Sequence, residues 1–476
     1  MAGRFLGIFK PLSRFMPEIS PPERTVGFNE KLFWTGIALA LYLIMSEVPL
    51  YGIPAGGGWE LTQLRVIFAS NRGALTELGI GPIVTAGLIL QLLAGSGMIA
   101  VDFANPEDRG LFTTASKVFS IVMTGVQASA YLIGGVYGTQ EPFAAIMIFL
   151  QLLAAGVILI LLDEMIQKGW GFGSGISLFI LAGVTKGILW DSLAPTPPMA
   201  DGLSYGAFVA TFQAMLGGQS FWGVFLRSGN LPSLLGFITT ISVFLIVIYI
   251  EGVRVELPVS YARYRGFRGR YPIKLLYVSN LPVIFASALF ANVYFFSQLL
   301  WNQLGQPAPG TNFWLDLLGQ YRVDPESNQP LPVGGLVHYV TSPRNVMNVV
   351  NDPLRAVIYA GILMAFCIVF SLTWLEVGGL GPKTVAKQLV DSGMQIPGFR
   401  RSHRPIAMIL KRYIPVVAVL GGLVVGLIAA TADFLGVFGT GMGVLLSVGI
   451  LYQYYQILVQ ERVAEMYPAF RRVLGE

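Results

Sequence analysis

Apolar residues in this chain gather into runs of about 20 or more, each long enough at 1.5 Å per residue to cross a hydrocarbon core of roughly 30 Å. Ten such runs are predicted as membrane-spanning helices, at 31–53, 80–101, 114–138, 142–166, 172–192, 234–256, 277–303, 353–377, 412–433 and 437–460. Between the first two lies LTQLRVIFASNR, Leu61 to Arg72, which is apolar with a helical period but too short to span. It reads as a surface helix or as a re-entrant one. Backbone ending at membrane depth is tolerated only where it packs on protein or lines a cavity, so the second reading points to a pore.

Composition agrees with the pattern. Of 476 residues only 12% are charged and 54% are hydrophobic, with a mean hydropathy of +0.65. Soluble chains carry about 25% charge, so a water-soluble enzyme is excluded. The single cysteine, Cys367, sits inside an apolar run and reads as core filling; no disulfide framework is possible. His338 and His403 are far apart, without Cys or His at ligand spacing, and read as loop histidines rather than a zinc site. No G-x-x-x-x-G-K-[ST] or H-E-x-x-H is present, so neither an enzyme nor a bound cofactor is expected.

Lysine and arginine set the orientation. The end segments and even-numbered connections hold 23 and the odd-numbered ones 6, with Lys117 and Arg355 inside spans. Both termini and the even-numbered connections are therefore cytoplasmic. The stretch Met1 to Glu30 lacks the order of a signal peptide.

The spans repeat. The second opens Ile80-Gly81-Pro82-Ile83-Val84-Thr85-Ala86 and the seventh Asn280-Leu281-Pro282-Val283-Ile284-Phe285-Ala286; the fifth opens Gly173-Ser174-Gly175-Ile176 and the tenth Gly439-Thr440-Gly441-Met442. Both pairs are five spans apart, an odd number, so the halves are inverted with a pathway expected between them. The matched segments carry bulky aliphatics one turn apart: Ile80 and Val84, Ile176 and Ile180, Met442 and Leu446, with Ile284 matching Val84. Each alone suits ordinary packing; converging, they form a constriction that excludes water and ions by dewetting. Glu47, Asp163, Glu164 and Glu251 fall near span ends, whereas amides lie inside: Gln91, Gln127, Gln151, Asn292 and Gln298. Leu159 reads as lipid-facing. A secondary transporter would share the inverted repeat but requires intramembrane ionisable groups; it stands as the alternative.

Two cytoplasmic connections are strongly basic. One runs Arg263-Tyr264-Arg265-Gly266-Phe267-Arg268-Gly269-Arg270; the other holds Arg400, Arg401, Arg404, Lys411 and Arg412. They read either as topology-setting charge near anionic headgroups or as a nucleic-acid surface, ribosomal RNA being the specific candidate.

On longer motifs the chain resembles, nearly end to end, the alpha subunit of the protein-conducting translocation channel, SecY in prokaryotes, in its archaeal and eukaryotic branch. The motifs are FLGIFKPLSRFMPEISPPER (5–24), VIFASNRGALTELGIGPIVTAGLILQLLAG (66–95), LLDEMIQKGWGFGSGISLFI (161–180), ARYRGFRGRYPIKLLYVSNLPVIFASALFAN (262–292), KRYIP (411–415) and ADFLG (432–436). The resemblance implies an all-α polytopic fold of ten helices in two inverted five-helix halves, 31–192 and 234–460, around a pore that passes secretory polypeptides and releases apolar segments sideways into lipid. It implies a plug at about 61–70 with Leu61, Leu64, Val66, Ile67 and Phe68. The pore ring carries over onto Ile80, Val84, Ile176, Ile180, Ile284 and Leu446, and a lateral-gate polar cluster onto Thr85, Gln127 and Asn292. Docking of a ribosome or cytosolic motor carries over onto loops 257–276 and 378–411, with Arg263, Arg265, Arg268, Arg400 and Arg401. Segments 1–30 and 461–476 would be cytoplasmic. Small SecE/gamma and beta-type membrane subunits, signal sequences, nascent chains and membrane lipid are the implied partners. An archaeal cell membrane, or alternatively the endoplasmic reticulum, is the implied location. External connections 193–233 and 304–352 receive no role.

Overall fold

The computed structural model describes residues 7–11, 16–53, 73–95, 98–99, 101, 105–134, 136–137, 140–198, 202–218, 220–227, 231–261, 268–276, 281–307, 310–323, 330–392, 394–395 and 403–466, and the structural statements below concern these. Ten principal helices account for the ten apolar runs: α1 (Phe28–Met45), α2 (Gly81–Gly95), α3 (Pro106–Ile133), α4 (Pro142–Met165), α5 (Gly175–Leu193), α8 (Leu234–Glu251), α9 (Leu281–Gln303), α13 (Pro353–Val377), α15 (His403–Phe434) and α16 (Gly441–Met466). On the outside, α6 (Ala207–Leu216) and α7 (Phe221–Phe225) join α5 to α8, while α10 (Phe313–Leu318), α11 (Gly335–Val340) and α12 (Val346–Asn351) join α9 to α13; cytoplasmic α14 (Pro382–Asp391) precedes α15. Seven of the ten are long and apolar enough to cross a membrane unaided. Among the rest, α1 carries Glu30 and Lys31, α2 has 15 residues, and α3 carries Glu107, Asp108, Arg109 and Lys117.

Helix starts follow local chemistry more closely than hydropathy. α3 begins eight residues before its predicted run, because Asn105 accepts from the Glu107 N–H (3.0 Å) and Pro106 fills the first turn, where a missing N–H costs nothing. α15 begins at His403 rather than 412 because Ile406 and Leu410 of its added turns are buried against Val385 and Leu389 of the amphipathic α14. His403 and His338 thus lie in helices, not loops.

The connections add strands to an otherwise helical chain. β1 (Arg254–Tyr261) and β2 (Arg268–Lys274) form an antiparallel hairpin, and β5 (Met394–Gln395) joins its β1 edge with Tyr261 opposite Met394. The two basic cytoplasmic connections, separate in sequence, therefore share one sheet. Outside, β3 (Gln320–Val323) pairs with β4 (Pro330–Gly334).

One large apolar core runs through the bundle, drawing on α1, α2, α4, α5, α8, α9, α13, α15 and α16. Cys367 lies fully inside it; so does Leu159, 1% exposed, which corrects its expected lipid-facing place. On α4 the exposed neighbour is Ile158. α13 and α15 approach closely through Gly422 and Gly426, where an added Cβ would lie 2.9 Å from the Cys367 carbonyl oxygen and 2.9 Å from Met364 Cα respectively. Small residues four apart allow such approach where hydrophobic driving force between helices is lacking.

The expected kinship of the fifth and tenth spans is visible in their turns. Gly173 (φ +69°) and Gly439 (φ +74°) each take the left-handed conformation two residues before a helix that starts with glycine. In each case an aspartate from the preceding span accepts from the new helix's first N–H groups: Asp163 from Ile176 (3.0 Å), Asp433 from Gly441 (2.6 Å). Each cap satisfies first-turn donors that the helix itself leaves unpaired. An alanine at Gly441 would drive its Cβ into the Ala429 carbonyl oxygen, whereas Gly361 on α13 faces open space. Gly441→Ala is expected to destabilise by about 1–3 kcal/mol, and Gly361→Ala to be neutral or stabilising by up to about 1 kcal/mol. Thermal unfolding in detergent checks both, and equal shifts would refute the turn geometry.

Candidate functional site

The aliphatics singled out by the repeat lie in or against one core. Ile80, Val84, Ile180, Ile284 and Leu446 are all buried members of the central core, and Ile176 is half-buried against it. Four different stretches supply them: the turn and first residues of α2, then α5, α9 and α16. Met442 joins them, its sulfur accepting from the Ser287 hydroxyl at 3.1 Å. Side chains from both halves thus belong to one core without charge. Such a core attracts through dispersion, which is indifferent to the chemical identity of whatever it touches, and offers water no partner.

Among the described residues, polar contacts between the halves fall mainly in two seams, beside the Lys31–Glu461 pair that joins α1 to α16. In the first, α2 and α3 face α9. Asn292 donates to the Thr85 hydroxyl (3.0 Å) as well as to its own helix at Ala288 O (2.7 Å). Gln127 is buried on α3 but, among the described residues, bonds to neither Thr85 nor Asn292, so only two of the three expected cluster members are joined. Farther out, Asn302 donates to Gly134 O (3.2 Å), Gln303 donates to Ile133 O, and Tyr131 stacks on Phe295 with centroids 4.9 Å apart. Farther in, Leu88, Gln91, Phe285, Phe370 and Trp374 line a small cavity between α2, α9 and α13, in which the Gln91 carbonyl oxygen is buried without a partner.

In the second seam, α5 lies against α16, and each helix holds the other's opening turn. The Tyr454 hydroxyl donates to Ser174 O (2.8 Å) at the start of α5, and Asp191 accepts from the Gly439 N–H (2.9 Å) before the start of α16. These clasps sit at opposite ends of the pair. Sequence reading missed them because a lone tyrosine and a lone span-end aspartate carry no motif; the repeated Gly-x-Gly turns were the available signal.

Ionic contacts gather at the cytoplasmic ends. Lys117 of α3 reaches buried Glu164 of α4 (2.5 Å); Lys168, in the π-turn Ile166–Trp170, bridges Glu164 (2.8 Å) and Glu18 (2.6 Å). Trp170 donates to Ser20 O (2.9 Å), and Lys31 pairs with Glu461. The stretch around Glu18 to Ser20 is thereby strapped beneath the first half. Lys168 holds its glutamate through a hydrogen bond, which pulls the Glu18 carboxyl below its ordinary range despite a smaller opposing effect of burial.

Leu61, Leu64, Val66, Ile67 and Phe68, together with Arg263, Arg265, Arg400 and Arg401, lie outside the described residues. Arg268 opens β2 opposite Ser260 in backbone register.

Comparison with known proteins places this geometry. The sequence profile of the family described as SecY matches residues 74–455, and that described as the plug domain of Sec61p matches 41–73. The chain is 44% identical to the protein translocase subunit SecY of Pyrococcus furiosus, over 98% of this chain and 99% of the relative. It is 42% identical to the Sec61 subunit alpha protein transport protein of Dictyostelium discoideum, over 97% and 98%. A solved structure described as that of a protein conducting channel superposes with a TM-score of 0.80 at 38% identity, covering 96% of this chain and 98% of the other. Sec61 in the canine ribosome-channel complex from the endoplasmic reticulum superposes with 0.77 at 38%, again over 96% and 98%.

The Asn292–Thr85 bond spans the first seam inside the membrane, where such pairs average about 0.6 kcal/mol. A double-mutant cycle of Asn292→Leu and Thr85→Val, read as unfolding free energy in mixed micelles, is expected to show coupling of that size. Strict additivity would mean that the two side chains do not interact.

Proposed function

The chain belongs to the SecY family, and from that membership we propose that it is the central subunit of a protein translocation channel, passing unfolded polypeptide between its two halves. The observation that carries this reading is the uncharged core that aliphatics of α2 and α5 from one half share with those of α9 and α16 from the other. Ile80, Val84, Ile176, Ile180, Ile284 and Leu446 form its constriction. A ring of aliphatic side chains can yield around an extended chain of any sequence and reseal behind it, whereas a charged ring would discriminate. Residues 61–70 close it from outside as the plug. The halves are 31–192 and 234–460, with both termini in the cytoplasm.

The seam of α2 and α3 against α9 and α13 is the lateral gate, bearing Thr85, Gln127 and Asn292. Its weak amide contacts suit a joint that must part. A nascent span of about 20 apolar residues leaving through it gains roughly 25 cal/mol per Å² of apolar surface transferred to lipid. The α5–α16 seam, clasped at both ends, is the side that stays shut.

The shared sheet of β1, β2 and β5 gathers loops 257–276 and 378–411 into one cytoplasmic platform. Arg263, Arg265, Arg268, Arg400 and Arg401 of these loops would dock a ribosome or a cytosolic motor; the canine relative was solved in a ribosome-channel complex. Small SecE/gamma and beta-type subunits complete the complex. The chain performs no chemistry and needs no cofactor; the partner that pushes or pulls supplies the energy.

Three experiments test the reading. With Cys367→Ala as background, single cysteines at Ile284 and at lipid-facing Ile158 are challenged with a stalled secretory chain carrying one cysteine. Disulfide formation at 284 and not at 158 is expected; a membrane-bound chain that crosslinks at neither sinks the pore assignment. Replacing Ile80, Val84 and Ile284 together by glycine should raise ion leak across reconstituted bilayers. For docking, Arg265→Glu with Arg400→Glu is expected to weaken ribosome sedimentation while membrane insertion stays normal, and undiminished binding would remove those arginines from the role.

A further inference from the structure

The connection from α5 to α8 holds an exposed helix that does not suit water. From Gly202 to Leu226 there is no Asp, Glu, Lys or Arg, although the segment lies outside the spans. Within it α6 buries Ala207, Ala210 and Ala214, one face at helical spacing, with Ala210 and Ala214 against Leu203 and Val224. Its opposite face, Phe208, Phe212, Met215 and Leu216, follows the spacing i, i+4, i+7, i+8 and is also wholly apolar. Phe212 is 65% exposed, Met215 74% and Leu216 75%, and on α7 Trp222 is 70% exposed. Only Thr211 and Gln213 interrupt the apolar surface at its flanks, and they bond back to Ala207 O and to Ser204; a helix apolar on two opposite faces belongs in a core or in lipid, yet ten residues, about 15 Å, cannot cross a bilayer.

Its placement says which. α6 packs against the outer ends of α5 and α8. The Phe208 ring meets Phe237 edge-on with centroids 4.7 Å apart, and Phe237 stands in the first turn of α8. On that helix Ile238, Ile241 and Leu245 are exposed as the lipid-facing side. The exposed stripe of α6 therefore lies at the level where α8 enters the membrane and continues its apolar surface. A tryptophan beside it is the residue type that collects at the headgroup boundary. The hairpin is also firmly held: buried Arg227 donates to Tyr205 O (2.9 Å), Ser204 O (2.9 Å) and Pro232 O (3.1 Å), and Asn345 of the other external connection donates to Arg227 O (3.0 Å).

We propose that α6 and α7 form a lipid anchor, lying in the outer-leaflet interface with Phe212, Met215, Leu216 and Trp222 among the acyl chains and headgroups, and fixing there the connection between the two halves. Lipid is the occupant because the stripe is continuous with a lipid-facing helix, lacks charge for a polar partner, and ends in an interfacial aromatic.

The test places a spin label at Met215→Cys, and separately at Phe212→Cys, in the full chain bearing Cys367→Ala and reconstituted in phosphatidylcholine vesicles. Ile241→Cys on α8 is the lipid reference and Lys387→Cys, exposed on cytoplasmic α14, the water reference. The ratio of collision rates with oxygen and with a water-soluble nickel chelate is expected to be several-fold higher at 215 and 212 than at 387, approaching that at 241. A ratio at both positions equal to that at 387 overturns the anchor. Labels immobilised and shielded from both probes overturn it in favour of a protein cover. Phe212 and Met215 are surface positions, so both variants should fold, and neither belongs to the ring, gate or docking residues.

Discussion

Hydrocarbon offers a backbone amide no hydrogen-bond partner, so every polar group at membrane depth must find one within the protein. The spans satisfy theirs internally. What remains is the first turn of each helix that starts close to its predecessor, and there the chain recruits carboxylates, Asp163 for α5 and Asp433 for α16. Asp433 further accepts from the Tyr359 hydroxyl (2.7 Å), so the cap of α16 also pins α13 to α15. Two glycines with positive φ and the two aspartates thereby set the angles at which α5 and α16 leave their turns.

That economy leaves the middle of the bundle free of strong polar contacts. Where the halves meet, packing is aliphatic, and the specific bonds lie toward helix ends or on one amide pair. A joint built so costs little to part along the α2, α3 and α9 side, where single amides and a stacked aromatic pair hold it. The α5–α16 side differs in geometry more than in bond strength: clasps at opposite ends of two antiparallel helices resist twisting as well as separation. A channel that opens sideways needs this inequality between its two seams.

Charges are likewise placed where they fasten extramembrane segments to spans. Lys168 binds both Glu164 and Glu18, so one ammonium stitches the N-terminal segment to α4, and Lys117 reaches the same Glu164 from α3. Outside, Arg227 is 3% exposed and spends its donors on loop carbonyls. Arg344 is partly buried, and burial lowers its hold on the proton against the attraction of Asp433 and Asp191. Counted in the sequence as an external charge, Arg227 acts as an internal strut.

Hydropathy alone determined the membrane class and the existence of ten helices, because a run of some 20 apolar residues has few other stable fates. The i, i+4 aliphatics and the repeated Gly-x-Gly turns were legible for the same reason: local spacing dictates which face a residue shares. Tertiary structure decided what spacing cannot carry. Leu159 and Ile158 are neighbours of similar hydropathy, yet one is core and the other faces lipid, since only the rotation of α4 against its neighbours distinguishes them. Asn292 and Gln127 look equally amide-like in sequence, but α9 brings only the first to Thr85. Tyr454 meets Ser174 across 280 residues, and Met394 meets Tyr261 across a strand pairing. Contacts of that separation exist only once distant segments have packed together, and no local pattern encodes them.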